Sequence, residues 1–526
     1  MIQKLEIFRK EFHYGFSNDK DMAYLLGIDN GGTVAKAAIF DENGNQIAVA
    51  GKIAEIITPK SGYMERDLEK LWEVNASVIR AVITESKINP KEIAGISFSG
   101  QGKGLYMLDE KGDPVYNGIL SSDMRAWKYV KKWYEDGTKE KVYKKTYQEI
   151  LSGQPVSLLN WFRDNKPEVL EKVRYIVSVK DYIRFKITGE IYSEITDFSG
   201  SNLLNLDTMD YDPELLELFD LKDMEKLLPP LRQSVDICGF VTEKANKETL
   251  LPIGVPVTAG MFDIDASGIA SGIYNEEEIA MIAGTWSINE YIGKTPISNG
   301  TVRLNSIFCI PGYYLYEESS PTSAGNLEWF ISNFLSYEKE EMEKKEEKIY
   351  ELLNEWVESI KPEESNLIYL PFLNGSNENE LAKGTFIGMT TFHKKMHMVR
   401  AVYEGVVFCH AVHLNNLLKN REKPKRIRLS GGAANSDVWA QIFADTLQIP
   451  VDILKDKEFG AMGAAMVAGV SVGIYPDFKT AVDKMVKVNK TIYPRGEYRK
   501  IYEEKFETYK SLTKILNNIW EKFEIK

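Results

Sequence analysis

A glycine-rich turn between two apolar runs narrows the possible folds more than any other part of this chain. Residues 27–33 read Gly-Ile-Asp-Asn-Gly-Gly-Thr, after the run Tyr24–Leu26 and before the run Ala35–Asp41. Such runs around a Gly-Gly pair predict two antiparallel strands joined by a tight turn. Because glycine has no Cβ, backbone N–H groups there can approach an anion, and the Asp29 carboxylate suits a hard cation that bridges phosphate oxygens. The hairpin therefore indicates magnesium-nucleotide chemistry, with an ordinary turn as the simpler alternative.

A second hairpin of the same kind follows far along the chain. The segment Ala283–Ser287 contains Gly-Thr, follows the apolar run Glu278–Ile282 and precedes the strand-like run Ile288–Ile292. A repeated turn between strands is what a duplicated nucleotide-binding domain would leave in the sequence. Two unrelated hairpins are the alternative that the motif pair leaves open.

The order of predicted elements supports an α/β fold made of two similar halves. Each half begins with three strands and a helix, and the first half adds a buried strand. The first set is Tyr24–Asp29, Ala35–Asp41, Gln46–Gly51, the helix Leu68–Ser86 and the strand Ile93–Ser99; the second is Ile279–Thr285, Ser287–Ile292, Tyr313–Glu318 and the helix Thr322–Leu335. In that last helix Leu327, Phe330, Ile331 and Phe334 are predicted to share one face. Two such halves facing each other would form a cleft.

Length and composition describe an ordinary globular protein. A chain of 526 residues is too long for one core and should divide into two or three domains. With 65 basic and 77 acidic residues the net charge is -12, which argues against a nucleic-acid partner. The three cysteines form no disulfide or metal-ligand pattern and favour a reducing compartment. The longest apolar run, Ala464–Tyr475, is too short to span a membrane, so we expect a cytoplasmic protein without a membrane partner. Residues 1–23 are predicted to be an N-terminal extension.

Two further segments resemble parts of a nucleotide site. The strand-like run Arg426–Ser430 ends in Gly431-Gly432, and Asn435 is predicted to cap a helix that buries Trp439, Ile442, Phe443 and Leu447. The helix opened by Glu458 carries a stripe of small residues, Ala461, Ala464, Ala465 and Ala468. Glycines before a helix N-terminus suit a phosphate or a flat ring. Tight helix packing explains the alanine stripe at least as well as contact with adenine does.

The candidate catalytic group is Asp263. A buried strand at Val255–Ala259 runs into a turn, and Asp263 stands at the start of a helix of small residues. Phosphoryl transfer to an alcohol requires a base aligned with the attacking hydroxyl, a metal for the phosphates and good positioning. Asp263 suits the base. The alternative is that Asp263 or Asp265 only caps the helix.

In their order, these segments resemble the FGGY carbohydrate kinases, over nearly the whole chain from Tyr24 to Tyr498. The matching pieces are Gly27–Thr33, Ser99–Gly104, Gly260–Asp263, Gly284–Ser287, the segment Gly388–Gly405 with His393, Arg400 and Glu404, and Ser430–Ala433. The resemblance implies an α/β fold with two actin-like (ribonuclease-H-like) domains facing a central cleft. Residues 24–268 would form the sugar-binding domain and residues 269–526 the ATP-binding domain.

By the same likeness, ATP and Mg²⁺ are the expected cofactors and most site residues receive a role. Asp263 would be the catalytic base and also contact the sugar, and Asp29 would hold the metal. The residues expected to bind the nucleotide are Gly31, Gly32, Thr33, Lys36, Gly284, Thr285, Gly431, Gly432, Asn435, Gly460 and Ala461. The resemblance leaves the oligomeric state open, a homodimer included.

The acceptor is inferred from the loop on the sugar side. Many xylulose kinases of the family carry Gln-Met-His-Gly where this chain has Gln101-Gly102-Lys103-Gly104, which argues against D-xylulose. Together with the segments Ile119–Ala126 and Ser319–Phe330, the loop is most similar to the L-xylulose kinase branch, so L-xylulose is the predicted acceptor. The predicted sugar contacts are Gln101, Gly102, Lys103, Asp123, Arg125 and Asp263. A structural ion pair is the alternative for Arg125.

Other interpretations of the function remain open, and two other motifs are rejected. The acceptor could be another ketose or polyol, such as ribulose, D-xylulose or erythritol, and an actin-like ATPase without a sugar substrate is the non-kinase alternative. Gly293-Lys294-Thr295 does not form a P-loop, because Ile288 stands where that motif needs its first glycine. The histidine pairs His393/His397 and His410/His413 lack the glutamate of a zinc-protease motif, so packing or solvent exposure is the better interpretation.

Overall fold

The structure is a computed structural model that describes residues 23–455 and 458–523. The predicted N-terminal extension therefore lies outside the described residues, apart from Ala23. Within the part of the chain that is described, no helix combines the length and the apolarity needed to cross a membrane.

The first half of the chain is built around one mixed sheet with helices on it. Its strands are β1 (Tyr24–Asn30), β2 (Val34–Asp41), β3 (Gln46–Ile53), β4 (Glu65–Arg66), β5 (Ile93–Gly100), β6 (Tyr106–Leu108), β7 (Gly118–Ile119), β8 (Tyr175–Val177), β9 (Ser193–Glu194), β10 (Leu204–Asn205), β11 (Asp210–Tyr211), β12 (Leu231–Arg232), β13 (Ile237–Phe240), β14 (Pro256–Thr258) and β15 (Met261–Phe262). Its helices are α1 (Leu68–Ser86), α2 (Trp127–Glu135), α3 (Thr138–Thr146), α4 (Pro155–Asn165), α5 (Pro167–Leu170), α6 (Val179–Thr188), α7 (Ile195–Ser199), α8 (Pro213–Leu218), α9 (Glu243–Thr249) and α10 (Asp263–Ala270).

The second half of the chain is also built around one mixed sheet with helices on it. Its strands are β16 (Ile279–Ala283), β17 (Ser287–Gly293), β18 (Leu304–Ile307), β19 (Tyr314–Ser320), β20 (Ile368–Leu370), β21 (Thr385–Ile387), β22 (Ile427–Ser430), β23 (Val451–Leu454) and β24 (Val488–Ile492). Its helices are α11 (Gly325–Phe334), α12 (Ser336–Lys344), α13 (Ile349–Glu358), α14 (Lys395–Leu417), α15 (Asp437–Leu447), α16 (Phe459–Ser471), α17 (Phe478–Met485) and α18 (Arg499–Leu516).

The two large sheets share one topology. The first has the order β13-β14-β5-β1-β2-β3, and the second has β24-β23-β22-β16-β17-β19-β18. In both, the first strand of the half pairs antiparallel with the next strand and parallel with a later one: β1 with β2 and β5, β16 with β17 and β22. The repeated Gly-Gly and Gly-Thr turns thus belong to equivalent β1–β2 and β16–β17 hairpins, as a duplicated domain requires. The predicted α/β fold of two actin-like domains is confirmed.

Two helices join the halves, and their small residues allow the contact. Helix α16 of the second half packs across β1 and β5 of the first, and α10 packs against α16. At Gly27 an added methyl group would stand 1.8 Å from the Ala461 carbonyl oxygen, and at Gly463 it would stand 2.3 Å from that of Ala266. Both distances are far inside van der Waals contact, so glycine is required there. The alanine stripe of α16 is buried in this interface, which is the packing interpretation of that pattern.

Local structure departs from the sequence predictions in three places. Strand β18 was not predicted; its polar residues Asn305 and Ser306 interrupt the apolar pattern but are buried against the first half. Phe334 was expected on the buried face of its helix and is 48% exposed. Helix α15 is capped by Ser436, whose side chain accepts from the Trp439 amide, because Asn435 belongs to a preceding 3-10 turn.

Candidate active site

The end of strand β1 places Asp29 where the two halves meet. The Ser99 hydroxyl, on the neighbouring strand β5, donates a hydrogen bond to the Asp29 carboxylate. Helix α16 approaches from the other half so closely that a methyl group on Gly460 would stand 2.5 Å from the Asp29 carboxyl carbon. Glycine at the start of this helix therefore makes room for the carboxylate.

An ion pair joins the halves beside Asp29. Lys36 on β2 donates to Glu458, just before α16, at 2.8 Å. Burial raises the pKa of Asp29, and Glu458 adds to the rise, while the Ser99 hydrogen bond and Lys36 oppose it. Lys36 and Ser99 therefore offset the effect of burial on the Asp29 carboxylate only in part.

A cavity of about 390 Å³ opens between the halves at this point. Five predicted site residues line it: Asp29, Lys36, Gly431, Asn435 and Gly460. Its other walls come from strands β16, β22 and β23 and from α10 and α16, through Ser267, Ile282, Leu429, Ser430, Ala434, Ile453, Leu454, Glu458 and Phe459. The size and the mixture of apolar walls with a few charged groups are typical of a small-molecule pocket.

The remaining predicted phosphate residues lie on the two hairpin turns and do not line this cavity. Gly431 has φ +84 and stands so close to the second hairpin that an added methyl group would meet the Ala283 carbonyl carbon at 2.6 Å and the Gly284 nitrogen at 2.8 Å. Thr285 at the tip of that hairpin is exposed. On the first hairpin Thr33 is exposed, and Gly31 and Gly32 are partly exposed. Both hairpin tips thus present backbone to solvent, as an anion site requires.

Two of the residues predicted to bind the nucleotide, Ala461 and Gly432, pack against other parts of the protein. Ala461 is 1% exposed and its backbone presses on Gly27, so in this structure it serves the interface between the halves. Gly432 begins the 3-10 turn Gly432–Asn435, where an added methyl group would stand 3.3 Å from the Ala324 side chain. Contact of either residue with a nucleotide stays a prediction.

Asp263 is the first residue of α10 and is partly exposed at the meeting of the halves. The helix cap position is Phe262 and makes no side-chain cap, so Asp263 is not engaged as a cap. Burial raises the pKa of Asp263 well above the usual carboxyl value, and the nearby carboxylates of Asp29 and Asp197 raise it further. Lys103 of the sugar loop works in the opposite direction. Phe262, the residue before Asp263, pairs with Gly100 at the end of β5, and Gly100 also pairs with Asn30 at the end of β1. Asp263 therefore lies beside the strand ends that lead into the sugar loop and the first hairpin, and its raised pKa makes it a stronger base than a surface aspartate.

The sugar loop is held in an unusual conformation. Lys103 has φ 64, a left-handed conformation that L-residues with side chains rarely adopt. Its amide donates to Asp197 at 3.2 Å, and its ammonium lies 5.3 Å from the centre of the Phe262 ring, directly before Asp263. Gly102 is needed because a methyl group there would stand 2.4 Å from the same ring. The loop thus places the Lys103 ammonium near Asp263.

Gln101 connects the sugar loop to the first hairpin. Its amide nitrogen donates to the Tyr106 hydroxyl at 3.1 Å, and its amide oxygen would stand 3.3 Å from a methyl group on Gly32. Phosphate hairpin and sugar loop are therefore in contact, so groups bound to each would be neighbours.

Asp123 and Arg125 form an internal ion pair. The Arg125 guanidinium donates to Asp123 at 2.9 Å and to Glu65 at 2.8 Å, and all three side chains are at most 3% exposed. The guanidinium also lies 4.2 Å from the centre of the Tyr63 ring. This is the structural ion pair that was the alternative for Arg125. Both residues are buried, and sugar contact stays a prediction for both.

The sequence patterns did not single out Arg66, which lies directly behind the first hairpin. Its guanidinium donates to the Gly32 carbonyl oxygen, and the residue is 2% exposed. Its Nε and Nη1 atoms have no hydrogen-bond partner among the described residues. A buried guanidinium without a carboxylate is uncommon. The only signal in the sequence was an arginine before Asp67, the N-cap of α1.

No group of three or more histidine, cysteine, aspartate or glutamate side chains arranged to hold a metal is found in the described ranges. A metal-binding role for Asp29 stays a prediction.

Comparisons with known proteins agree with this geometry. The profile of the FGGY family of carbohydrate kinases, N-terminal domain, matches residues 24–270, and that of the C-terminal domain matches residues 279–472. A probable L-xylulose kinase of Pasteurella multocida is 36% identical over 94% of this chain and 99% of its own. An L-xylulose/3-keto-L-gulonate kinase of Escherichia coli is 35% identical over 93% of this chain and 96% of its own.

Solved structures show the same fold. A ligand-bound xylulose kinase from Lactobacillus acidophilus superposes with a TM-score of 0.87 at 24% identity, covering 95% of this chain and 100% of the other. A Plasmodium falciparum glycerol kinase with ADP has a TM-score of 0.83 at 20% identity, covering 94% and 98%. The two matched profiles and the similar relatives show that the chain belongs to the FGGY family of ATP-dependent carbohydrate kinases.

Proposed function

We propose that this protein transfers the γ-phosphoryl group of MgATP to a terminal hydroxyl of L-xylulose. The observation that carries the proposal is the position of Asp263 between the sugar loop and the phosphate hairpin. The relatives named as L-xylulose kinases, similar over nearly the full chain, support this acceptor over other ketoses.

Asp263 acts as the general base. It accepts the proton of the attacking hydroxyl as the oxygen approaches the phosphorus, and its raised pKa strengthens it for that task. Lys103 lies on the same side of the cleft and can donate hydrogen bonds to the hydroxyls of the ketose. Hydrogen bonds between a buried site and a polyol reject analogues that lack the matching hydroxyls.

The nucleotide occupies the 390 Å³ cavity and the adjoining hairpins. Gly431, Asn435 and the apolar walls suit the adenosine, and the turns at Gly32 and Thr285, which are partly exposed and exposed, would offer backbone amides to the phosphates. The cavity is lined by both halves, so ATP bound there bridges them and favours a closed cleft. Closure excludes water, which would otherwise accept the phosphoryl group.

The donor set at the cleft fits Mg²⁺. Asp29 presents an incompletely compensated carboxylate beside the space that Gly460 leaves open. An oxygen ligand of this kind, completed by phosphate oxygens and water, is what Mg²⁺ prefers. When bound, the ion would neutralise charge on the phosphates. Asp29 would orient it, and Ser99 would orient Asp29 through its hydrogen bond.

A second acceptor is 3-keto-L-gulonate, which the E. coli relative also carries in its name. This sugar acid has a carboxylate, and the observation that favours it is the buried guanidinium of Arg66, which donates to the Gly32 carbonyl oxygen and whose Nε and Nη1 atoms have no partner among the described residues. A positive charge directly behind the hairpin would support an anionic acceptor electrostatically.

Steady-state kinetics across acceptors tests the proposal. Purified protein with ATP and Mg²⁺ is assayed for ADP release with L-xylulose, D-xylulose, L-ribulose, D-ribulose, erythritol and 3-keto-L-gulonate. We expect the highest kcat/KM with L-xylulose. An R66M variant should lose more activity with 3-keto-L-gulonate than with L-xylulose, and a K103M variant should raise KM for both. A preference for D-xylulose or erythritol would overturn the acceptor assignment.

A further inference from the structure

Helix α14 and strand β19 bring together a cysteine, a histidine and a glutamate that the phosphoryl transfer does not use. Cys409 and His413 are one turn apart on α14, so they share a face. The Cys409 sulfur lies 3.7 Å from His413 Nε2, and His413 Nδ1 lies 3.6 Å from Glu318 Oε2. Ser320 supports both, with its hydroxyl 3.1 Å from His413 Nε2 and 3.5 Å from the sulfur.

The arrangement favours a proton on the histidine and disfavours one on the thiol. Burial works against the thiolate, but the charge of His413 and hydrogen bonds from His413, Ser320 and Tyr509 lower the pKa of Cys409 below its usual value. Burial likewise opposes a charged His413, yet Cys409 and Glu318 raise its pKa to about 9. A thiolate beside an imidazolium is the nucleophilic form of cysteine.

A cavity beside the Cys409 sulfur leaves room for a reactant. A cavity of about 510 Å³ is lined by Cys409 and His413, by the helix α18 residues Tyr509, Lys510, Thr513 and Lys514, and by the segment around Glu378. Glu378, Asn415 and Lys514 are exposed at its rim, so the cavity is reached from solvent. The charged groups around the sulfur are thus His413 on its own helix, Glu318 on β19, Glu378, and the two lysines of α18.

The other two cysteines have the opposite environment. Burial raises the pKa of Cys238 to about 11 and that of Cys309 well above its usual value. Neither has a histidine among the groups that shift its pKa. One chain therefore carries one activated thiol and two inert ones as internal controls.

We propose that Cys409 is a thiol-modification site that reacts with small neutral disulfides entering this cavity. The Cys409 sulfur attacks one sulfur of the disulfide, a new sulfur–sulfur bond forms, and the original one breaks. The leaving thiolate departs and is protonated by solvent or by His413. The disulfide supplies the oxidising equivalents, and excess small thiol reverses the exchange.

The experiment uses the full chain in native buffer with bis(2-hydroxyethyl) disulfide as the probe. Intact mass and peptide mapping follow the adduct between pH 6 and pH 9. We expect one adduct, on Cys409, that dithiothreitol removes, and a rate that levels off at a lower pH than the rate of an ordinary thiol does. An ordinary thiol, with a pKa of about 8.5, would instead react roughly tenfold faster for each pH unit up to that value.

Variants test whether the reactivity of Cys409 depends on its contact with His413 or only on access from solvent. C409S should give no adduct, and C238S should react like the parent protein. H413Q should react at least about tenfold more slowly at pH 7, because its thiol returns towards the ordinary pKa. The pH dependence of the parent protein decides the matter even if H413Q does not fold. Absence of an adduct in the native protein, equal labelling of Cys238 or Cys309, or an ordinary thiol pH profile would overturn the proposal.

Discussion

Replacing Asp263 by asparagine removes the proton acceptor while keeping the shape of the side chain. A positioned general base contributes about 10²–10⁴ in rate. We therefore expect kcat of D263N to fall by about that factor, which corresponds to about 3–5 kcal/mol of activation free energy. ATP binding should survive, because the nucleotide cavity does not include Asp263.

The same substitution should make the fold more stable. Burial, Asp29 and Asp197 raise the pKa of Asp263 in the folded protein, so folding is disfavoured as pH rises above the unfolded value near 4. Asparagine carries no charge and escapes this cost. At pH 7 the free energy of unfolding should rise by about 0.5–2 kcal/mol, the range of single stabilising substitutions.

Asp265, two residues along α10, provides the matched control. It is fully buried, its pKa is also raised mainly by burial, and its Oδ1 accepts from the Cys309 amide at 2.8 Å. Asparagine can accept the same hydrogen bond. D265N should therefore gain stability as D263N does, while its kcat stays within about tenfold of the parent.

The assays are coupled ADP release, calorimetric ATP binding and urea unfolding at pH 7. Loss of activity with a gain in stability for D263N, against retained activity for D265N, is the expected pattern. The reasoning is refuted if D263N keeps kcat within about tenfold, if it is less stable than the parent, or if D265N loses as much activity.

Three further outcomes follow from the site. G460A should lower kcat/KM for ATP by at least about tenfold, because the new methyl group would stand 2.5 Å from the Asp29 carboxyl carbon. G496A is the control and should not lower it, because a methyl group there would meet no atom within 4 Å. Initial rates at varied ATP concentration compare the two variants. R125M should cost about 3–5 kcal/mol in urea unfolding because it leaves two buried carboxylates unpaired, and a change in sugar KM without loss of stability would contradict the ion-pair role. The acid limb of kcat/KM for the sugar should lie clearly above pH 4, since the base must be ionised and its pKa is raised; a limb near 4 in a pH 4–9 series would contradict this.

Strong local patterns made the nucleotide-binding strands predictable. In the first half the predicted bounds of β1, β2, β3, α1 and β5 agree with the structure to within two residues at each end. Apolar runs broken by glycine determine these elements almost without help from tertiary contacts. The place of Asp263 at the start of α10 was predictable for a similar reason, since a strand-to-helix turn is a local feature, and its role as the base stays a prediction.

What could not be predicted depends on contacts between distant segments. Strand β18 lacks an apolar pattern because Asn305 makes hydrogen bonds to the backbone of Ile297 nearby and of Tyr147, which only the assembled halves bring near. The unpaired Arg66 and the interdomain Lys36–Glu458 pair likewise have no periodic signature. Arg125 looked equally suited to sugar contact and to an ion pair, and only the position of Glu65 distinguishes the two environments.

A single-turnover measurement with ATP labelled in the γ-phosphate tests the central claim most directly. The enzyme is mixed with Mg²⁺ and labelled ATP, with or without L-xylulose, and the products are separated into sugar phosphate and inorganic phosphate. Our account predicts that the label passes to the sugar, and that little inorganic phosphate forms in its absence. Label released as inorganic phosphate at the same rate with and without sugar would contradict it, because the protein would then be an ATPase.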